Sequence, residues 1–213
     1  MRMHWIVTVG LTLSLTACDL SDSEAEGDSD TEGMASGNDS ADPTADPSGD
    51  GSGGGGGEEV PSNAYCADVS SWDSAMTEFE EEVLILVNEA RAQGASCGGQ
   101  SFGSTGPLTM NPALRCAARV HSKDMAERNY FDHNNPDGED PFVRMERAGY
   151  SFFTAGENIA AGQMTPEMVM QSWMDSPGHC SNIMNPDFAD LGVGAFSGTG
   201  AQFSIYWTQA FGA

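Results

Sequence analysis

Positive charge is scarce in this sequence. Its 213 residues hold 8 Lys and Arg against 32 Asp and Glu, a formal net charge of −24. A protein that grips phosphate backbones needs cationic side chains to displace counterions, so nucleic acid is excluded as a partner. Electrostatic docking on anionic lipid headgroups is excluded on the same ground. Long apolar runs are also missing. The longest, Trp5 to Ala17, spans roughly 20 Å as a helix, short of the ~30 Å hydrocarbon core. There is no CxxC pair to suggest a zinc ribbon and no HExxH zinc motif. Histidine is rare: His4, His121, His133 and His179 are the full set.

The acidic residues that are present are unevenly placed. Residues 19–59 hold 13 of the 32 carboxylates and no Lys or Arg, leaving 19 acidic against seven basic residues in 60–213. Residues 1–17 read as a signal peptide, with Arg2 before the apolar stretch. The stretch ends Leu15-Thr16-Ala17-Cys18, which resembles the lipobox of bacterial lipoproteins. That resemblance implies cleavage before Cys18, a diacylglycerol on its thiol, and an exported chain held to a membrane through the lipid alone. Residues 18–59 then form a tether of Ser, Asp, Glu, Gly, Thr and Pro, with five glycines at Gly53–Gly57. Without aromatic residues such a segment buries too little surface to offset ordering entropy. The remaining 154 residues, 60–213, form one domain large enough for a real core.

Cysteine usage agrees with export. Beyond Cys18 stand Cys66, Cys97, Cys116 and Cys180, an even set that suggests two disulfides in an oxidising compartment. Three connectivities are possible, and the sequence alone does not choose. The reading favours Cys97 with Cys116 and Cys66 with Cys180.

The domain reads as helices followed by a short strand pair. Thr77 and Glu80 have capping-box spacing before a helical face of Phe79, Val83, Leu86, Val87 and Ala90, closed by Gly94. Asn111-Pro112 opens a second helix running to about Asn129; residues 141–148 form a third, ended by Gly149; Thr165-Pro166 opens a fourth. Met164, Met168, Met170 and Met174 recur near helical spacing and read as packing. Two β-like runs, 191–196 and 202–210, flank Ser197-Gly198-Thr199-Gly200 as a hairpin. Segregated helices and strands indicate an α+β fold.

Gly94-Ala95-Ser96-Cys97-Gly98 matches the GxSxG nucleophile elbow. That motif needs a strand before it and a helix after it, so the match is coincidental here. The carboxylate-rich stretch 132–140 has Gly138 one position late for a calcium loop. The informative residues are His133, in a polar loop past the second helix, and His179, just after the fourth, which ends at Pro177. Glu157 lies between them in the mostly small, apolar segment Gly156-Glu157-Asn158-Ile159-Ala160. An unpaired carboxylate there would be costly. The three groups are either separate surface hydrogen-bonders or one cleft, as a metal or acid/base site.

Taken in order, several strings resemble the bacterial branch of the CAP superfamily (cysteine-rich secretory proteins, antigen 5, pathogenesis-related 1; the SCP domain). They are residues 84–91 (LILVNEAR), Asn111-Pro112-Ala113-Leu114, residues 121–125, Tyr130-Phe131-Asp132-His133, Gly156-Glu157-Asn158-Ile159-Ala160, residues 173–179 (WMDSPGH) and Tyr206-Trp207-Thr208-Gln209. The resemblance covers about residues 74–213. It implies an α-β-α sandwich with a His-Glu-Glu-His cleft, in which His133, His179 and Glu157 match three members. The fourth position falls on Ser176; Asp175 is one residue early, about 100° round a helix. A His-Glu-His set remains, with Tyr206 as a further cleft residue and His121 outside it on the second helix.

Two functions follow as expectations. The first is an envelope-anchored binding module whose cleft takes a lipid, peptide or other envelope ligand, since no activated nucleophile is present. The second is a metal-dependent, peptidase-like hydrolase with Zn²⁺ on His133 and His179 and Glu157 as base. The cofactor expectation is a divalent cation, Zn²⁺, or none; ordinary catalytic zinc has three protein ligands.

Overall fold

The computed structural model describes residues 60–213. The signal peptide, the Cys18 lipid site and the tether fall on residues 1–59, outside the described residues. Among the described residues there are five α-helices: α1 (Ser74–Gln93), α2 (Pro112–Arg128), α3 (Pro141–Ala148), α4 (Pro166–Asp175) and α5 (Pro177–Met184). The strands are β1 (Ala95–Cys97), β2 (Gln100–Phe102), β3 (Thr109–Met110), β4 (Ala155–Ala161), β5 (Asp190–Phe196) and β6 (Tyr206–Gly212). Strands β1 and β2 form a small hairpin, turned by Gly98 and Gly99 at positive φ. The main sheet runs β3-β5-β6-β4, antiparallel except for the parallel β3–β5 contact.

Local signals place most helix ends. Asn111, Asp140 and Thr165 each accept a backbone N–H at an N-terminus whose first helical residue is proline. The capping-box reading of Thr77 and Glu80 does not hold. Helix α1 starts earlier, capped by Asp73 Oδ1 on the Ala75 and Met76 N–H groups at 2.9 and 3.2 Å. Thr77 and Glu80 face the interior instead. Arg119 donates to Thr77 Oγ1 and to both Glu80 oxygens, and Glu80 Oε1 also accepts the Ala195 N–H. Glu80 thereby satisfies a donor on β5 where the two-residue β3 no longer covers its edge.

The sheet separates two cores. On one face lie Leu191, Val193, Ala195, Trp207 and Phe211, packed with Val83 and Val87 of α1, Val169 and Trp173 of α4, and Ile183 of α5. On the other face, α2 lies against β5 so closely that glycine is required. A Cβ on Gly192 would come 2.0 Å from the Leu114 carbonyl carbon, and one on Gly194 would come 2.4 Å from that of Ala118. Gly194→Ala should therefore lever α2 off the sheet and cost about 1–3 kcal/mol in urea titration. An unchanged midpoint would contradict this packing.

The disulfides join Cys66 to Cys116 and Cys97 to Cys180, which corrects the favoured pairing. Cys116, on α2, belongs to the core on one face, whereas Cys97 belongs to the core on the other. The sheet stands between them, so each bridges within its own layer. Two further expectations shift. The hairpin loop spans residues 197–205, so β6 begins at Tyr206 rather than 202. Met164 and Met168 are about half exposed; only Met170 and Met174 pack against the core.

Candidate functional site

The site forms at the outer edge of the sheet, on β4. Successive side chains of a strand point to opposite faces. Glu157, paired with Ala210 of β6, faces the α2/α3 layer. Its neighbour Asn158 faces the α5 layer.

Glu157 is almost enclosed, with a side chain 4 % exposed, and both of its oxygens are engaged. Oε1 accepts from His133 Nδ1 at 2.8 Å; Oε2 accepts from Arg144 Nη2 at 2.7 Å. Burial opposes ionisation, but the His133 hydrogen bond and the Arg144 charge outweigh it and hold the carboxyl below its ordinary pKa. An ionised carboxylate only accepts, so Nδ1 of His133 carries a proton toward Glu157, and in the neutral tautomer Nε2 is the acceptor. That ring is 44 % exposed.

Arg144 of α3, 2 % exposed, ties the loop to the strand. It donates to Glu139 O at 3.0 Å and to His133 O at 2.9 Å as well as to Glu157. His121 of α2 lies beneath, fully buried, with Nε2 donating to Asp132 O at 3.0 Å and 3.9 Å from Glu157 Oε1. Burial depresses its pKa to about 4, so it is neutral at pH 7. Arg144 and His121 thus set the backbone on which His133 stands; neither was anticipated in that role.

His179 approaches from the opposite face. It is the third residue of α5, which extends past the point where Pro177 was expected to end helical structure; Pro177 is the first residue of a new helix. The ring is half-buried. Burial, then the charge of His133, depresses its pKa. Asp175 stays outside and accepts from Gln171.

Tyr206 does not line this cleft. It is 1 % exposed among Met125, Ala126 and Ile159, and pairs with Ala161. Ala161 is four residues from Glu157, roughly 13 Å along the strand.

The match to the profile of the Cysteine-rich secretory protein family (CAP) spans residues 84–211, more than half of the chain. The chain belongs to this family. An uncharacterized protein of Bacillus subtilis, YkwD, is 41 % identical over 143 residues, covering 67 % of this chain and 50 % of the relative. An uncharacterized membrane protein of the same organism, YlbC, is 30 % identical over 123 residues, covering 58 % of this chain and 33 % of the relative. The chain thus spans half or less of these curated relatives. Among solved structures, an extracellular SCP-domain protein of Bacillus anthracis is 28 % identical, with TM-score 0.51, covering 67 % of this chain and 44 % of that one. This CAP domain has the expected α+β architecture.

Among the described residues no group of three or more His, Cys, Asp or Glu side chains is placed to hold a metal ion. Two imidazoles and an inward-turned carboxylate are a poor fit to a resident zinc, which needs three protein ligands in a catalytic site. Glu157 is also poorly disposed as a base, since each of its oxygens already accepts a hydrogen bond from Arg144 or His133 and its side chain is almost enclosed. Among the described residues no helix is long and apolar enough to cross a membrane.

Proposed function

We propose that this CAP protein is an exported, envelope-anchored binding module. It takes a lipid, peptide or other envelope ligand at the cleft bounded by His133 and His179 and leaves that ligand intact. The observation that carries the reading is the full engagement of Glu157 by Arg144 and His133. A carboxylate so held orients an imidazole rather than moving a proton to or from a substrate. The exposed ring of His133 then offers a hydrogen-bond acceptor to a ligand, with the His179 ring beside it. A divalent cation enters this reading only as an exchangeable ligand of the two rings. Anchoring rests on Leu15-Thr16-Ala17-Cys18, and export also on the extracellular Bacillus anthracis relative.

Two measurements test this. Cys18→Ala should leave the membrane fraction; if it stays there like the wild type, the anchor is wrong. Soluble wall fragments, lipid micelles and peptide mixtures should each be added while the His133 and His179 ring signals are followed by NMR. A saturable shift with the ligand recovered intact is expected from one of them. Cleavage of any of these by wild type, lost in His179→Ala, would establish the hydrolase instead.

A further inference from the structure

The ring of His179 makes no hydrogen bond among the described residues, but its backbone carbonyl is held by a side chain of the sheet. Its helix is short, and Ser176 gives no side-chain cap at its start. The backbone of His179 must therefore be held from elsewhere. One polar side chain does this. Asn158 donates from Nδ2 to His179 O at 3.1 Å, and also to Gln209 Oε1 at 3.0 Å. Its Oδ1 accepts from Asn182 Nδ2 at 2.9 Å, and Asn182 also donates to Glu157 O at 3.3 Å.

The amide of Asn158 is wholly buried and uses both of its N–H groups and its oxygen. Its orientation follows from the His179 carbonyl, a backbone acceptor that only the amide nitrogen can meet. Of the four residues in this chain, Asn182 and His179 lie on α5, Asn158 on β4 and Gln209 on β6. The chain therefore stitches the first two turns of α5 to the sheet, alongside the Cys97–Cys180 bridge that ties the same helix to β1.

We propose that Asn158 is the positioning residue for His179, as Glu157 is for His133. The pleat of β4 sends these consecutive side chains to opposite faces, and each takes charge of the histidine arriving from its own layer. Glu157 grips a ring; Asn158 grips a backbone carbonyl. Both imidazoles are then tied to a single strand, in addition to the helices and loop that carry them. This rests on the binding-cleft reading above for its purpose but not for its geometry.

The test uses the free protein, so that failure to find a ligand leaves it intact. The ring Hδ2 and Hε1 signals of all three domain histidines are recorded in wild type, Asn158→Ala, Asn158→Asp and Asn182→Ala. Asn158→Asp keeps the shape but turns a donor into an acceptor opposite two oxygens. Asn182→Ala removes only the outer link. The expected result is that His179 signals shift and lose their contacts to neighbouring protons in both Asn158 variants, and less so in Asn182→Ala. Those of His133 and His121 stay within line width. Unmoved His179 signals in a folded Asn158 variant overturn the proposal. Equal movement of His133 and His179 also overturns it, because that marks general loosening. Should neither Asn158 variant fold, Asn182→Ala decides, and an unmoved His179 there is again fatal.

Discussion

Glu157→Ala should destabilise the folded domain by about 3–5 kcal/mol, because it leaves the guanidinium of Arg144 buried without its counter-charge. Arg144 is 2 % exposed, and its remaining partners are two backbone carbonyls, Glu139 O and His133 O. Carbonyls solvate a cation only in part, so the loss exceeds that of an ordinary surface pair, worth ~1 kcal/mol or less. The effect should be conditional on Arg144. In Glu157→Ala/Arg144→Met the buried charge is gone, and the double variant should recover a large share of the loss. Urea titrations of the wild type, both singles and the double give the coupling. If the double variant is as unstable as the summed singles, the Arg144–Glu157 pair is not what holds this region. His133 should respond separately, its ring signals broadening in Glu157→Ala because the 2.8 Å hydrogen bond to the carboxylate is lost.

The local signals in this chain were legible and the long-range ones were not. Asn111-Pro112 and Thr165-Pro166 announce their helices because a cap and a fixed proline φ act within four residues. The same local logic misplaced α1. Thr77 and Glu80 have capping-box spacing, but their side chains serve Arg119 on a helix some forty residues later. Pro177 reads as a terminator because proline ends one helix as readily as it begins the next, and here it does the latter. Strand β4 went unread because Gly156, Ala160 and Ala161 give little β signal; its pairing with β6 and the burial of its alternate faces decide it.

At the site, His133, Glu157 and His179 could be picked out as rare polar groups in telling contexts. Arg144 could not, since a charged residue on a helix looks like part of a solvated face; His121 reads as a partly buried helix histidine with one hydrogen bond, and its buried ring on Asp132 O agrees. A signal did exist. Pro141, Arg144, Met145 and Ala148 recur at i, i+3, i+4 and i+7, so Arg144 stands on the buried stripe of its own helix. His121 occupies the matching place on α2, in the stripe of Leu114, Ala117, Ala118 and Met125. A charged residue on an apolar stripe calls for a buried counter-charge, and Glu157 supplies it.

That buried imidazole makes the domain acid-labile. His121 is neutral in the fold, with its pKa depressed to about 4 from 6.5, whereas in the unfolded chain it titrates normally. Between these values the unfolded state binds a proton that the native state refuses, so stability falls as pH drops. The full effect is about 3 kcal/mol, on the order of 2 of it reached by pH 5. The surroundings of His121 support the sign. Glu157 attracts the proton, but burial outweighs it, and Arg144 and His133 repel it. Tyr130, beside Nδ1, already donates its hydroxyl proton to Asp124 Oδ2 at 2.6 Å and offers a cation no anionic partner. Glu157, its pKa held down in the fold, adds a loss of the same sign at lower pH. Urea midpoints measured from pH 7.5 to 5 should therefore decline, above the range where most carboxylates titrate. His121→Gln retains a donor for Asp132 O but cannot titrate. It should be less stable at pH 7.5 yet decline less over the same interval, the remaining slope coming from His179, whose pKa burial also depresses. A decline as steep in His121→Gln as in the wild type would assign the lability to other groups.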